Sequence, residues 1–346
     1  MSITIVVSST KPSQSLPPVY AVLDVETTRL DRKTDRIVQI GIVKVENNVS
    51  KPWMAYVNPC KSREEQMEAY EVHKISPEFL LGKPKFADVV SMLCEFLENV
   101  EYVVCHNCVF DWSILMAEFD RLQDNEDNKA LMRKIKWVDL LRIAIKSFPD
   151  FNSYGLSTLL GKFSIRIKKA QSLLYLYQSC ITAGDQQECE VLSLFEQGEK
   201  ENFEERHHDA VCDSLAAHSL LKIVLEKNSY SDIADLVNNF PQCLIETELF
   251  LALEVMLKER KTSDKDLTSF SARAEKFCCT IPSLRGKTLQ ELSVSKIRTV
   301  LLSGFEKDER VRLIYRAALL HKGSDSQKRK ADSPDLSVSP KETKTE

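Results

Sequence analysis

Two carboxylates interrupt an otherwise apolar run at residues 19–28, Val-Tyr-Ala-Val-Leu-Asp-Val-Glu-Thr-Thr. The apolar and β-branched residues of that run predict a buried strand. Asp24 and Glu26 lie two apart, so on a strand they project from one face. Burying two unpartnered acids is too costly for an ordinary core. A divalent cation removes the cost, because hard oxygen donors on one face suit magnesium or manganese. An acidic strand end open to solvent is the alternative reading of these two residues alone. Two later stretches add to the set: Asp111, shortly after His106 and Asn107, and Asp213, five residues after His208. Several carboxylates converging on two cations about 4 Å apart, with an imidazole to deprotonate water, are what two-metal phosphodiester hydrolysis requires.

The elements that must position these residues are legible from periodicity. Residues 36–45 alternate enough for a second strand, Asn47 and Asn48 suit a turn, and residues 53–57 predict a third strand. Apolar residues at helical spacing in 87–98 predict a helix. Residues 102–105 then read as a strand entering a helix over 111–122, with Asp111 at the junction. A short strand at 136–139 enters a helix over 140–147, with Asp139 as its N-cap. Three strands followed by alternating helix and strand imply an α/β fold with a mixed sheet, not a doubly wound parallel one.

The chain of 346 residues, 43% apolar, is long enough for a catalytic domain and a smaller one. No run of eighteen apolar residues occurs, so no membrane is expected among its partners. Ten scattered cysteines without a framework spacing predict free thiols and an intracellular setting. Formal charge is uneven: about +6 from Lys261 onward and −10 before it. An acidic, metal-binding body with a basic C-terminal part suits a nucleic-acid partner.

With these residues in view, the sequence resembles the DEDDh 3′–5′ exonuclease superfamily, of the polymerase proofreading type. Asp24-Val-Glu26-Thr-Thr is similar to its first motif, and His106-Asn-Cys-Val-Phe-Asp111 to its second. His208-Asp-Ala-Val-Cys-Asp213 is similar to its third. His73-Lys-Ile-Ser-Pro-Glu, Gly82, Phe86, Trp137-Val-Asp139 and Tyr154-Gly-Leu follow the connecting patterns, so the resemblance covers about residues 19–225. It implies an RNase H-like mixed β-sheet flanked by helices. It also implies Asp24, Glu26, Asp111 and Asp213 as ligands of two Mg2+ ions, with Mn2+ as a substitute, and His208 as general base. Thr27, His106 and Asn107 would hold the 3′-terminal nucleotide. Two departures stand out. Arg29 occupies a position where the family usually has Gly, and a turn needing positive φ would strain it by about 1 kcal/mol. The span from Ile167 to His207 is also longer than usual.

The expected organisation is a flexible leader (1–18) and an exonuclease domain (19–226) with an acidic insertion around 170–206. A helical accessory domain (227–322) and a disordered tail (323–346) follow. The expected activity is metal-dependent 3′–5′ exonucleolytic hydrolysis of DNA or RNA by a two-metal mechanism. The alternative is a catalytically weak nucleic-acid-binding or scaffold protein that retains the fold. Expected partners are single-stranded or 3′-end nucleic acid and a protein docked on the C-terminal helices. Lys328, Arg329 and Lys330, near Ser333-Pro334 and Ser339-Pro340, read as a nuclear import signal, with a cytoplasmic location otherwise.

Overall fold

The computed structural model describes residues 17–123, 125–165, 208–277, 279, 287–303 and 308–331. The acidic stretch 170–206, His207 and both Ser-Pro pairs lie outside the described residues. These residues divide into two compact units, on either side of Ile245/Glu246.

In the first unit β1 (Tyr20–Thr27), β2 (Ile37–Glu46) and β3 (Val49–Tyr56) form the antiparallel meander that the alternation predicts. Asn47 and Asn48 both take positive φ, 50° and 64°, as a two-residue hairpin turn demands. β3 starts four residues earlier than residues 53–57 suggest, because Pro52 masks its beginning in the sequence. Proline is tolerated there because β3 is an edge strand. Helices α1 (Arg63–His73), α2 (Pro77–Leu81) and α3 (Phe86–Phe96) lead into β4 (Tyr102–Cys105), which pairs parallel to β1. After α4 (Cys108–Asp120) and α5 (Glu126–Lys134), β5 (Lys136–Asp139) pairs parallel to β4. The sheet order is therefore β3-β2-β1-β4-β5, the mixed RNase H-like arrangement.

Helices α6 (Leu140–Ser147), α7 (Leu156–Phe163), α8 (Ala210–Lys227) and α9 (Ile233–Asn239) follow. On one sheet face Val22, Val104 and Val138 pack with Ile143, Leu159, Leu220, Leu221 and Val224. Ile233, Leu236, Val237 and Cys243 join this same core. That is why the divide falls at Ile245/Glu246 and not at 226/227 as the sequence patterning suggests: α9 buries its apolar stripe in the first unit.

The fully buried Glu118 of α4 accepts a fork from Arg36, at 2.7 Å from Nε and 2.9 Å from Nη2, and a third bond from the Ile37 amide at 3.1 Å. This ties α4 to the start of β2. Glu118→Ala is expected to destabilise the unit by about 2–3 kcal/mol, somewhat less than for a fully buried pair because Arg36 keeps some water contact. An unchanged urea midpoint would show that the fork contributes nothing.

The second unit is helical, as expected: α10 (Thr247–Lys258), α11 (Asp264–Leu267), α12 (Ser271–Ala274), α13 (Val294–Ser303) and α14 (Glu309–Ala331). Leu253, Phe277, Ile297, Ile314 and Tyr315 are among its buried residues. Arg310, also buried, lies between Asp308 (2.7 Å) and Glu254 (3.7 Å). The helix of α14 continues to Ala331, where the composition suggests disorder from residue 323. Gln, Lys, Arg and Ala are good helix formers and no proline occurs before Pro334, so the last helix runs on. No described helix is long and apolar enough to cross a membrane.

Candidate active site

Along one face of β1 the side chains run Val22, Asp24, Glu26. Val22 belongs to the core beneath α8, so the row turns from apolar to acidic toward the C-terminal end of the strand. Ligand sites of α/β sheets collect at such ends. β4 pairs with β1 only as far as Val22. Beyond it, Asp111 takes the place of a neighbouring strand: its Oδ1 accepts the Val25 amide at 3.2 Å. Asp111 sits in the first turn of α4, just after the strand–helix junction, the helix beginning at Cys108. Asn107 precedes it in the left-handed region (φ 74°), which Asn tolerates.

The third stretch arrives at the start of α8. His208 takes a positive φ of 69°, and its amide donates to Asp213 Oδ2 at 3.1 Å. A non-glycine residue held there stores of order 1 kcal/mol, a feature common at functional sites. Asp209 N-caps the helix, accepting the Cys212 amide at 3.3 Å. Asp213 lies in the first turn, where the helix dipole favours a negative charge. One potential ligand atom each from Glu26, His208 and Asp213 falls within 4.8 Å of the others.

The acids are close enough to disturb one another strongly. Burial raises Asp24 well above the usual carboxylate range, and Asp111, Asp213, Glu26 and Asp209 push it further. Burial, then Asp213, Asp209 and Asp111, lift Glu26 from 4.5 to about 8. Asp111 is raised by burial, although the backbone amides that it accepts oppose the shift. The charged groups that raise Asp24 and Glu26 are acids. A cluster of oxygen donors that repel one another fits a hard divalent cation, which would restore their ionised forms.

The sign of the resulting pH dependence follows from Glu26. The unfolded chain loses this proton near 4.5 and the folded one near 8. Between those values the folded state holds more protons, so raising the pH destabilises it, by at most about 1.4 kcal/mol per pH unit for each such proton. In EDTA the melting temperature is therefore expected to fall from pH 5 to pH 8, and saturating divalent cation to flatten the trend. A melting temperature that rises over that window in EDTA would contradict this.

The three residues assigned to the terminal nucleotide each have a group engaged within the protein. The Thr27 hydroxyl donates to the Arg29 carbonyl at 2.6 Å, and the His106 Nε2 bonds the Tyr154 carbonyl at 2.8 Å. The Asn107 amide donates to Asp139 Oδ1 at 3.1 Å. Asp139 caps α6 as expected, through the Leu141 amide at 3.0 Å, and so also braces the second motif. Arg29 does not take a positive φ, so the strain expected of it is not incurred; it pairs with Glu68 of α1 at 3.0 Å. The electrostatic part of Asp209 and the setting of His73 escaped the sequence reading. Asp209 reads only as a residue inside the third motif, yet acts on both β1 acids. His73 is buried at the end of α1, where burial pushes it down to about 4 and proximity to His208 adds to that shift.

A mixed sheet carrying this acid cluster is a candidate site for a hard divalent cation. Comparison places it further. Residues 21–170, less than half of the chain, match the RNase_T family model, described as exonuclease. The DNA polymerase III epsilon subunit of Rickettsia conorii is 34% identical over 147 residues, 42% of this chain and 61% of that subunit. The epsilon subunit of Salmonella typhimurium is 33% identical over 151 residues, again 42% of this chain and 60% of the subunit. The chain thus spans about three fifths of these relatives. Among solved structures, exonuclease X bound to 5′-overhanging duplex DNA aligns over 61% of this chain and 94% of its own, at 18% identity and TM-score 0.39. Escherichia coli exonuclease I with a dT13 oligonucleotide aligns over 61% and 42%, at 16% identity and TM-score 0.44. The family match ends before His208 and Asp213, whose place in the cluster rests on the geometry above.

Proposed function

We propose that the chain is a divalent-metal-dependent 3′–5′ exonuclease that hydrolyses DNA or RNA from the 3′ end, one nucleotide at a time. The observation that carries this reading is the convergence of Asp24, Glu26, Asp111 and Asp213, from three distant stretches of sequence, beside one imidazole. The four carboxylates would hold two Mg2+ ions, which when bound polarise the phosphate and stabilise the charge developing on the attacking and leaving oxygens. His208 accepts a proton from water as its oxygen forms a bond to phosphorus. The P–O3′ bond to the preceding nucleotide breaks, that oxygen takes up a proton, and a nucleoside 5′-monophosphate leaves. Thr27 and the His106–Asn107 backbone orient the terminal nucleotide.

The test is degradation of 5′-labelled single strands of DNA and of RNA in Mg2+. A ladder shortening from the 3′ end supports the proposal, and the faster nucleic acid identifies the substrate. Release of the 5′ label as mononucleotide with no ladder of shortened 5′-labelled strands would overturn it.

We further propose a nuclear location, directed by Lys328, Arg329 and Lys330 near the end of α14, and a protein partner for the helical second unit. Replacing the three basic residues by Ala is expected to shift a tagged protein to the cytoplasm while leaving its nuclease activity intact. An unchanged distribution would remove the import signal.

A further inference from the structure

The third motif poses a positional problem. Forty-two residues separate Ile165 from His208, so chain connectivity alone does little to set where His208 and Asp213 stand. Contacts through space must do it, and β2 supplies them.

β2 lies beside β1 in a register that pairs Glu26 with Gln39 and Asp24 with Gly41. Directly opposite residues share a face, so Gln39 and Gly41 face α8 next to the two β1 acids. Gln39 is completely buried, and its Oε1 accepts the Ala210 amide at 3.0 Å. That amide belongs to the first residue of α8 and has no partner within the helix. The other end of the same side chain donates to Met54 Sδ at 3.0 Å and faces Asp209 Oδ2 at 3.4 Å. Gly41 acts by absence. A Cβ there would collide with the backbone of Ala210 and Val211, so only glycine lets the helix start lie flat on the strand. The Gly41 carbonyl also accepts the Ser214 hydroxyl at 2.9 Å, one residue beyond Asp213.

Each acid of β1 thus has, as its cross-strand partner, a residue that holds the first turn of α8. We infer that Gln39 and Gly41 are positioning residues, which seat the start of α8 on β2 and thereby set His208 and Asp213 relative to Asp24 and Glu26. Neither touches substrate. The inference deepens the exonuclease reading and rests on it for its consequence in catalysis, but the clamp itself can be tested without turnover.

Gln39→Met keeps the volume and removes the acceptor. In the metal-free folded protein, exchange of the Ala210 amide is expected to accelerate at least about tenfold, while exchange at Leu220, three turns along α8, stays unchanged. Mn2+ titrated calorimetrically into the full chain should bind about 10–100-fold more weakly, the usual cost of losing a partner that orients metal ligands. Turnover should fall by a similar factor with KM for a single-stranded oligonucleotide within about twofold, and rise again at high Mn2+. Gly41→Ala pushes on the same turn sterically and should weaken Mn2+ binding too; should it fail to fold, Gln39→Met decides. A Gln39→Met protein with lower melting temperature but wild-type Mn2+ affinity and wild-type Ala210 exchange would overturn the inference, since that is what mere packing predicts. A wild-type chain that binds Mn2+ but degrades no nucleic acid would remove the exonuclease reading and leave the clamp standing on its exchange and affinity shifts.

Discussion

Asp24→Asn and Asp111→Asn should each lower nuclease turnover by several orders of magnitude, and EDTA should abolish it. Asp24 is half-buried on β1, and the buried Asp111 of α4 is bonded to the Val25 amide beside it. Loss of either removes oxygen donors for the cations on which the attacking and leaving oxygens depend. A second measurement separates this from unfolding. Without metal, burial and mutual repulsion oppose the ionisation of these acids, so each substitution removes a group that is costly to keep in the fold and is expected to raise the melting temperature in EDTA at neutral pH. A more stable and inactive protein is the expected pair of results. Full activity in EDTA, or an Asp24→Asn protein as active as the wild type, would remove the two-metal reading.

The next largest effect is expected at His208. Its ring lies within reach of Glu26 and Asp213, where a proton taken from water can be received. A cation bound by the same carboxylates would oppose protonation of the ring and keep it a base at neutral pH. His208→Ala should cut turnover by roughly 10²–10⁴-fold, the usual contribution of a general base, with metal binding largely retained. His207→Ala should cost far less, because the His-x-Ala-x-x-Asp spacing begins at His208. The comparison is made at saturating metal and substrate, so that weakened binding does not pass for slowed chemistry. Greater damage from His207→Ala would shift the third motif by one residue and withdraw the support for Asp213.

Much of the fold was legible before any coordinates because its signals are local. An apolar, β-branched run marked β1, alternation marked β2, helical spacing marked α3, and the two asparagines marked their hairpin turn. Short motifs carried the acids and the histidine because each motif is itself one turn or one strand end. Elements with weak local signals were missed: the polar helix α1, the proline-containing start of β3, and α14 beyond Lys322.

The sequence by itself determined which residues can do chemistry here: Asp24, Glu26, Asp111, His208 and Asp213 are named by type and spacing. The tertiary structure alone decided how they act on each other. Glu26 reaches about 8 only because the fold buries it beside acids from α4 and α8. Arg29 escapes strain because its turn needs no positive φ, and a family habit of glycine there could not reveal that. Asp209, Gln39 and Gly41 gain their roles from the pairing of β1 with β2 and the seating of α8 on that pair. Register between strands depends on packing across the whole sheet, and a shift of one residue would turn Gln39 and Gly41 away from α8. No stretch of sequence a few residues long contains that information.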